Sequence, residues 1–108
     1  MYFLLFTAEP SEDSPEKGKV GRGYAHIWVQ AVNPTEAENT SLTYMKKHHL
    51  TPLTLEFCCR STDVLLRQLG TSESRLFRRA EQYGIALDYI AAAVGDSPGL
   101  SSFRPMKS

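Results

Sequence analysis

Tyr24-Ala25-His26-Ile27-Trp28-Val29-Gln30-Ala31-Val32-Asn33-Pro34-Thr35-Glu36 decides the fold. Ala25, Ile27, Val29 and Ala31 point one way and Tyr24, His26, Trp28 and Gln30 the other, which is the period of a strand with a covered face. The stretch ends as a helix begins. Asn33 offers a side-chain oxygen to the first free amides, Pro34 stands where a missing N–H costs nothing, and Glu36 follows three residues after the cap. Strand two therefore runs directly into a helix.

Working downstream, Ala37, Ser41, Tyr44, Met45 and His48 recur at helical spacing and form the expected buried stripe, with an end near His49 or Leu50. After Pro52, Leu53, Leu55, Phe57 and Cys59 alternate with Thr54, Glu56, Cys58 and Arg60, predicting strand three. Ser61, Thr62 and Asp63 suit a short helical turn through Leu69, closed by Gly70. Thr71 or Ser72 then opens a second main helix to Tyr83, burying Leu76, Phe77, Ala80 and Tyr83. Past Gly84, Ile85, Leu87 and Tyr89 alternate with Ala86 and Asp88 as in a fourth strand, while Ile90 to Val94 also suits a helix.

Upstream, Tyr2 to Ala8 is apolar on both alternations and predicts a short strand covered on both sides or placed centrally in a sheet. Residues 9–23 collect proline, glycine and serine and read as a long mobile loop. Residues 95–108 show no periodicity and read as a disordered tail, which leaves one α+β domain over 1–94. The element order places three to four strands in one sheet with two main helices on a single face, an open-faced sandwich. The strand-helix-strand unit from Tyr24 to Arg60 is expected to form a right-handed crossover, and the first strand fits between its two parallel strands. This layout resembles the ferredoxin-like architecture, a resemblance that carries no motif and transfers no activity.

Twelve basic residues balance twelve acidic ones, so no net field gathers nucleic-acid phosphates or an anionic membrane surface. No apolar run reaches the length of about 20 residues that a spanning helix requires. The apolar opening Tyr2–Phe6 lacks a basic flank and a small-residue cleavage site, so no export signal is read. Cys58 and Cys59 are adjacent in a strand, point to opposite faces and read as free thiols in a reducing, cytoplasmic setting.

Neither nucleic acid, membrane, cofactor nor metal is implied. His48 and His49 diverge by about 100° around a helix and do not have the one-turn spacing of a metal pair. Gly18-Lys19-Val20-Gly21-Arg22-Gly23 leads into a strand rather than a helix, unlike a phosphate cradle. Arg75, Arg78 and Arg79 read as a solvated helix face diluted by Glu73 and Glu81. No catalytic motif is found, and an enzyme is the less favoured class.

With both helices on one face, Tyr24, His26 and Trp28 would lie beside Glu56 on the other. An exposed aromatic sheet face predicts an interaction surface, and the expected function is a small interaction or regulatory module that self-associates there as a homodimer, or meets another protein. The alternative reading is a small-ligand binder or enzyme using His26 and Glu56 on the same face.

Overall fold

A computed structural model describes residues 1–15, 17–18 and 20–93 of the chain. The elements are β1 (Tyr2–Pro10), β2 (Val20–Val29), α1 (Pro34–Lys47), β3 (Leu50–Arg60), α2 (Asp63–Arg67), α3 (Thr71–Tyr83) and β4 (Ile85–Ala93). The four strands form one antiparallel sheet in the order β3-β1-β2-β4. The fold is thus mixed α+β, and no helix among the described residues is long and apolar enough to cross a membrane.

Local chemistry sets most of these boundaries. Asn33 is extended, and its Oδ1 accepts from the Glu36 amide at 2.8 Å, while Glu36 Oε1 accepts from the Val32 amide at 2.8 Å. At the far end His48 closes α1 and His49 takes φ 61°, a left-handed conformation that turns the chain straight into β3. Thr62 caps α2 by accepting from the Leu65 amide. Gly84, with φ 90°, ends α3 and lets β4 begin one residue later. The region expected as a long loop over 9–23 is shorter, because Glu9 and Pro10 continue β1 and β2 already starts at Val20. The expected disordered tail, 95–108, lies outside the described residues.

The placement of both main helices on one face is corrected by the structure, and with it the open-faced sandwich. Tyr2, Leu4, Phe6, Ala25, Ile27 and Val29 pack with Ala37 and Met45 of α1. Their alternating neighbours pack the other way: Trp28 and Ala86 are buried with Leu76 and Ala80 of α3, joined by Phe3, Phe77 and the α2 side chains Leu65 and Leu66. The sheet therefore carries a helix on each side. The reason lies in the central strands. β1 and β2 present Phe3 and Trp28 on the side away from α1, and an apolar surface of that size is stabilised when a second helix covers it. The strand order also differs from the ferredoxin-like one, although β1 does lie between β2 and β3 as expected.

The strict alternation expected for β3 fails for a separate reason. Its pairing with β1 shifts between Leu5 and Phe6 and again between Thr7 and Ala8, leaving Glu56 and Leu53 as surplus residues. Each shift re-aims the side chains that follow, so Leu55 and Cys58 pack on the α1 side while Phe57 emerges on the α3 side.

Candidate functional site

On the α3 side, the pairing registers arrange the sheet in rows. Cys59, Phe3, Trp28 and Ala86 form the row beneath α2 and α3; Phe57, Leu5, His26 and Asp88 form the next; Thr54, Thr7, Tyr24 and Ile90 form the third. Successive rows are about 7 Å apart, two residues along a strand. Only the first row is well covered by the helices.

At the boundary between covered and open rows stands Glu73, in the first turn of α3. Trp28 Nε1–H donates to Glu73 Oε1 at 3.0 Å. His26 Nδ1 lies 3.1 Å from Oε2, and because a carboxylate only accepts, that nitrogen carries the proton of the bond. The hydrogen bond from His26 holds the Glu73 carboxyl below its ordinary value, aided by Trp28 and opposed by partial burial. Phe77 meets the Trp28 ring edge-on at a centroid distance of 5.0 Å, and Phe3 lies 5.0 Å from it on the sheet. At the other end of α3, Gln30 Nε2 donates to the carbonyls of Ala80 and Glu81. His26 and Trp28 of β2, with Gln30 just beyond the strand, thus grip α3 at both ends.

The residues singled out in the sequence distribute unequally. Tyr24, His26 and Trp28 do share one sheet face. The expectation that Trp28 is open on that face is corrected: it is 1% exposed, because α3 rests on it. Glu56 lies at the surplus position of β3 and accepts from Thr7 Oγ1 at 3.4 Å. His26 and Glu56 belong to strands separated by β1, about 10 Å apart across two strand spacings. The imidazole is instead held by Glu73, so the pairing on which the His26–Glu56 alternative rests does not form.

In the sequence Glu73 reads only as a charge diluting the arginine cluster of α3. Its place was nevertheless visible: residues 73, 76, 77 and 80 are one helical stripe, and a carboxylate on an apolar stripe needs buried donors. Phe57 and Ile90 are also part of the face, at 52% and 56% exposure. Strict alternation puts Phe57 on one side with Leu55; the bulge at Glu56, which has no reliable sequence signal, turns it to the α3 side. Cys58 and Cys59 are free thiols on opposite faces; burial pushes both up, with the neighbouring Cys59 and Glu38 adding to the effect at Cys58. Such thiols are poor nucleophiles.

Arg75, Arg78 and Arg79 are exposed along α3. Among the described residues, no group of three His, Cys, Asp or Glu side chains is placed to hold a metal ion. Comparison with protein-family models, with characterised proteins and with solved structures finds no match for the chain.

Proposed function

We propose that the protein is a small interaction module that self-associates through the rows of the α3-side sheet face that α3 leaves open, two copies meeting about a two-fold axis. The observation that carries this reading is the joint exposure of Phe57 and Ile90 at the two margins of rows whose middle holds Leu5 and Tyr24. Two exposed apolar side chains, with half-buried Leu5 and Tyr24 between them, cost free energy in water that association relieves. The formal net charge of zero removes long-range repulsion between copies. A reducing, cytoplasmic setting fits the two free thiols.

Sedimentation at micromolar concentration tests the proposal. Self-association makes the mass rise with concentration, and Phe57→Glu, a change at a side chain already half in water, halves the mass of the assembly without unfolding the chain. A wild-type monomer at every concentration, or an assembly indifferent to Phe57→Glu, overturns it.

A further inference from the structure

The two edges of the sheet are built differently. β3 forms one edge, and its ladder is broken by two surplus residues and by Pro52, which has no N–H to offer. Bulges and proline are the usual protection of an edge against further pairing. β4 forms the other edge, with the sequence Ile85-Ala86-Leu87-Asp88-Tyr89-Ile90-Ala91-Ala92-Ala93 and a single charge. From Ile85 to Ala91 it pairs with β2 without a shift.

Which peptide groups of β4 point outward follows from one hydrogen bond. The Gln30 amide donates to the Gly84 carbonyl at 2.9 Å, so 30 and 84 are a hydrogen-bonded pair. Such pairs recur at every second residue of an antiparallel ladder. The even-numbered residues of β4 therefore bond to β2, and the peptide groups of Ile85, Leu87, Tyr89 and Ala91 face away from the sheet. The same odd-numbered side chains lie on the α1 side. There the helix stops short of β4, leaving a cleft of about 480 Å³ with Leu87, Tyr89 and Ala91 on one wall and His48, His49 and Leu50 on the other. On the opposite side Ile90 is exposed. β4 is thus left incomplete along its edge and over parts of both faces.

We propose that β4 pairs antiparallel with β4 of a second copy, centred on Tyr89, so that two four-stranded sheets become one of eight and the two clefts join over the seam. The chemistry of the strand selects this register. Outward peptide groups must meet outward peptide groups, which leaves centres at Asp88, Tyr89 or Ile90 as the near-full overlaps. A centre at Asp88 sets two carboxylates directly opposite each other, with Cα atoms about 4.5 Å apart, a like-charge contact that destabilises. A centre at Ile90 leaves Ile85 and Ala86 unpaired. The centre at Tyr89 uses the whole strand, sets Leu87 opposite the partner's Ala91, and places Asp88 opposite the partner's Ile90. Each cleft then gains a wall from the other copy, because the added strand carries its own Leu87 and Tyr89 onto the same side. The seam runs along the sheet edge and not across the open face, so the pairing stands independently of the self-association proposed above; with both engaged, the chain is a dimer of dimers.

Two measurements on the full chain test it. Ala91→Pro removes an outward N–H and no bond to β2, an edge position where proline is tolerated; with the fold verified by circular dichroism, it halves the sedimenting mass. In a Cys58→Ser/Cys59→Ser background, Leu87→Cys combined with Ala91→Cys gives a disulfide-linked dimer on mild oxidation, since the opposed Cα atoms lie about 5.5 Å apart and within disulfide reach. The same two cysteines within one chain are about 13 Å apart and cannot bridge. In the Phe57→Glu protein a dimer remains, and adding Ala91→Pro makes it monomeric. A monomeric Phe57→Glu protein without the crosslink overturns the β4 pairing and leaves the open-face reading standing. A Phe57→Glu protein equal in mass to wild type, with the crosslink intact, does the reverse.

Discussion

One carboxylate on α3, that of Glu73, accepts from the Trp28 indole at 3.0 Å and from the His26 imidazole at 3.1 Å, and so fixes the helix to the middle of the sheet. Glu73→Ala leaves the indole N–H buried without an acceptor. It lowers stability by about 1–3 kcal/mol, the cost of an unsatisfied buried donor, as measured by urea unfolding. A loss well below that range would mean that α3 is held by its apolar stripe alone.

The same carboxylate gives stability an acid limb. Its value is lowered in the fold, first by the His26 hydrogen bond. A lowered carboxyl contributes stability that is present above its unfolded value, near 4.5, and is lost as pH falls through the folded one. Midpoints of unfolding measured from pH 6 downward should therefore fall less steeply in Glu73→Gln than in wild type. Parallel curves would remove Glu73 from the acid response.

Trp28→Ala empties a site closed by Phe3, Phe77 and Leu76 and destabilises by about 3–5 kcal/mol, as large-to-small core changes do. Trp28 is the chain's one tryptophan, so its emission is blue-shifted in the folded protein and moves red on unfolding. A red-shifted native spectrum would contradict the burial.

Tyr89 packs on the α1 side of β4, and its hydroxyl lies 2.9 Å from the Gly21 carbonyl and 3.2 Å from that of Ala8. Burial, with the charge of Glu9, pushes it up to about 12. A raised phenol keeps its contribution below its unfolded value of about 10 and loses it as pH rises toward 12. Wild type should lose stability across that alkaline window while Tyr89→Phe changes little there; equal losses would refute the assignment.

At Gly23, β4 packs directly against β2 with no room for a side chain. A Cβ at this position would fall on the Ile90 carbonyl and the Ala91 Cα. Gly23→Ala forces the strands apart and costs about 1–3 kcal/mol, as overpacking does. Hydrogen exchange localises the effect, with faster exchange expected in β4 and little change in β3. Uniform acceleration would show that the strain spreads through the whole sheet.

What the sequence made legible depended on whether the signal was local. Asn33, Pro34 and Glu36 announced α1 because capping involves only neighbouring residues, and Gly84 marked the α3 boundary for the same reason. The alternation of β2 correctly separated Ile27 from Trp28. It did not reveal that both sets are covered, because period two distinguishes two faces without saying what lies on each. The bulges that turn Phe57 outward, and the reach of Glu73 to residues more than 40 positions away, arise from tertiary pairing. The helical stripe 73-76-77-80 was the one available clue to the latter, and charge type masked it.

Placing helices on opposite sides of a single sheet divides the apolar interior into two unequal cores that share only the backbone of β1, β2 and β4. The core beneath α1 takes in Leu4, Phe6, Ile27, Val29 and Met45, whereas the one beneath α3 rests mainly on Trp28, Leu76, Ala80 and Ala86. Opening free energies within a fold follow buried apolar area. The α2–α3 layer is accordingly expected to lift away first, leaving the sheet and α1 as a two-layer remnant. The indole faces this smaller core, so its fluorescence should report detachment of the layer before the chain as a whole unfolds.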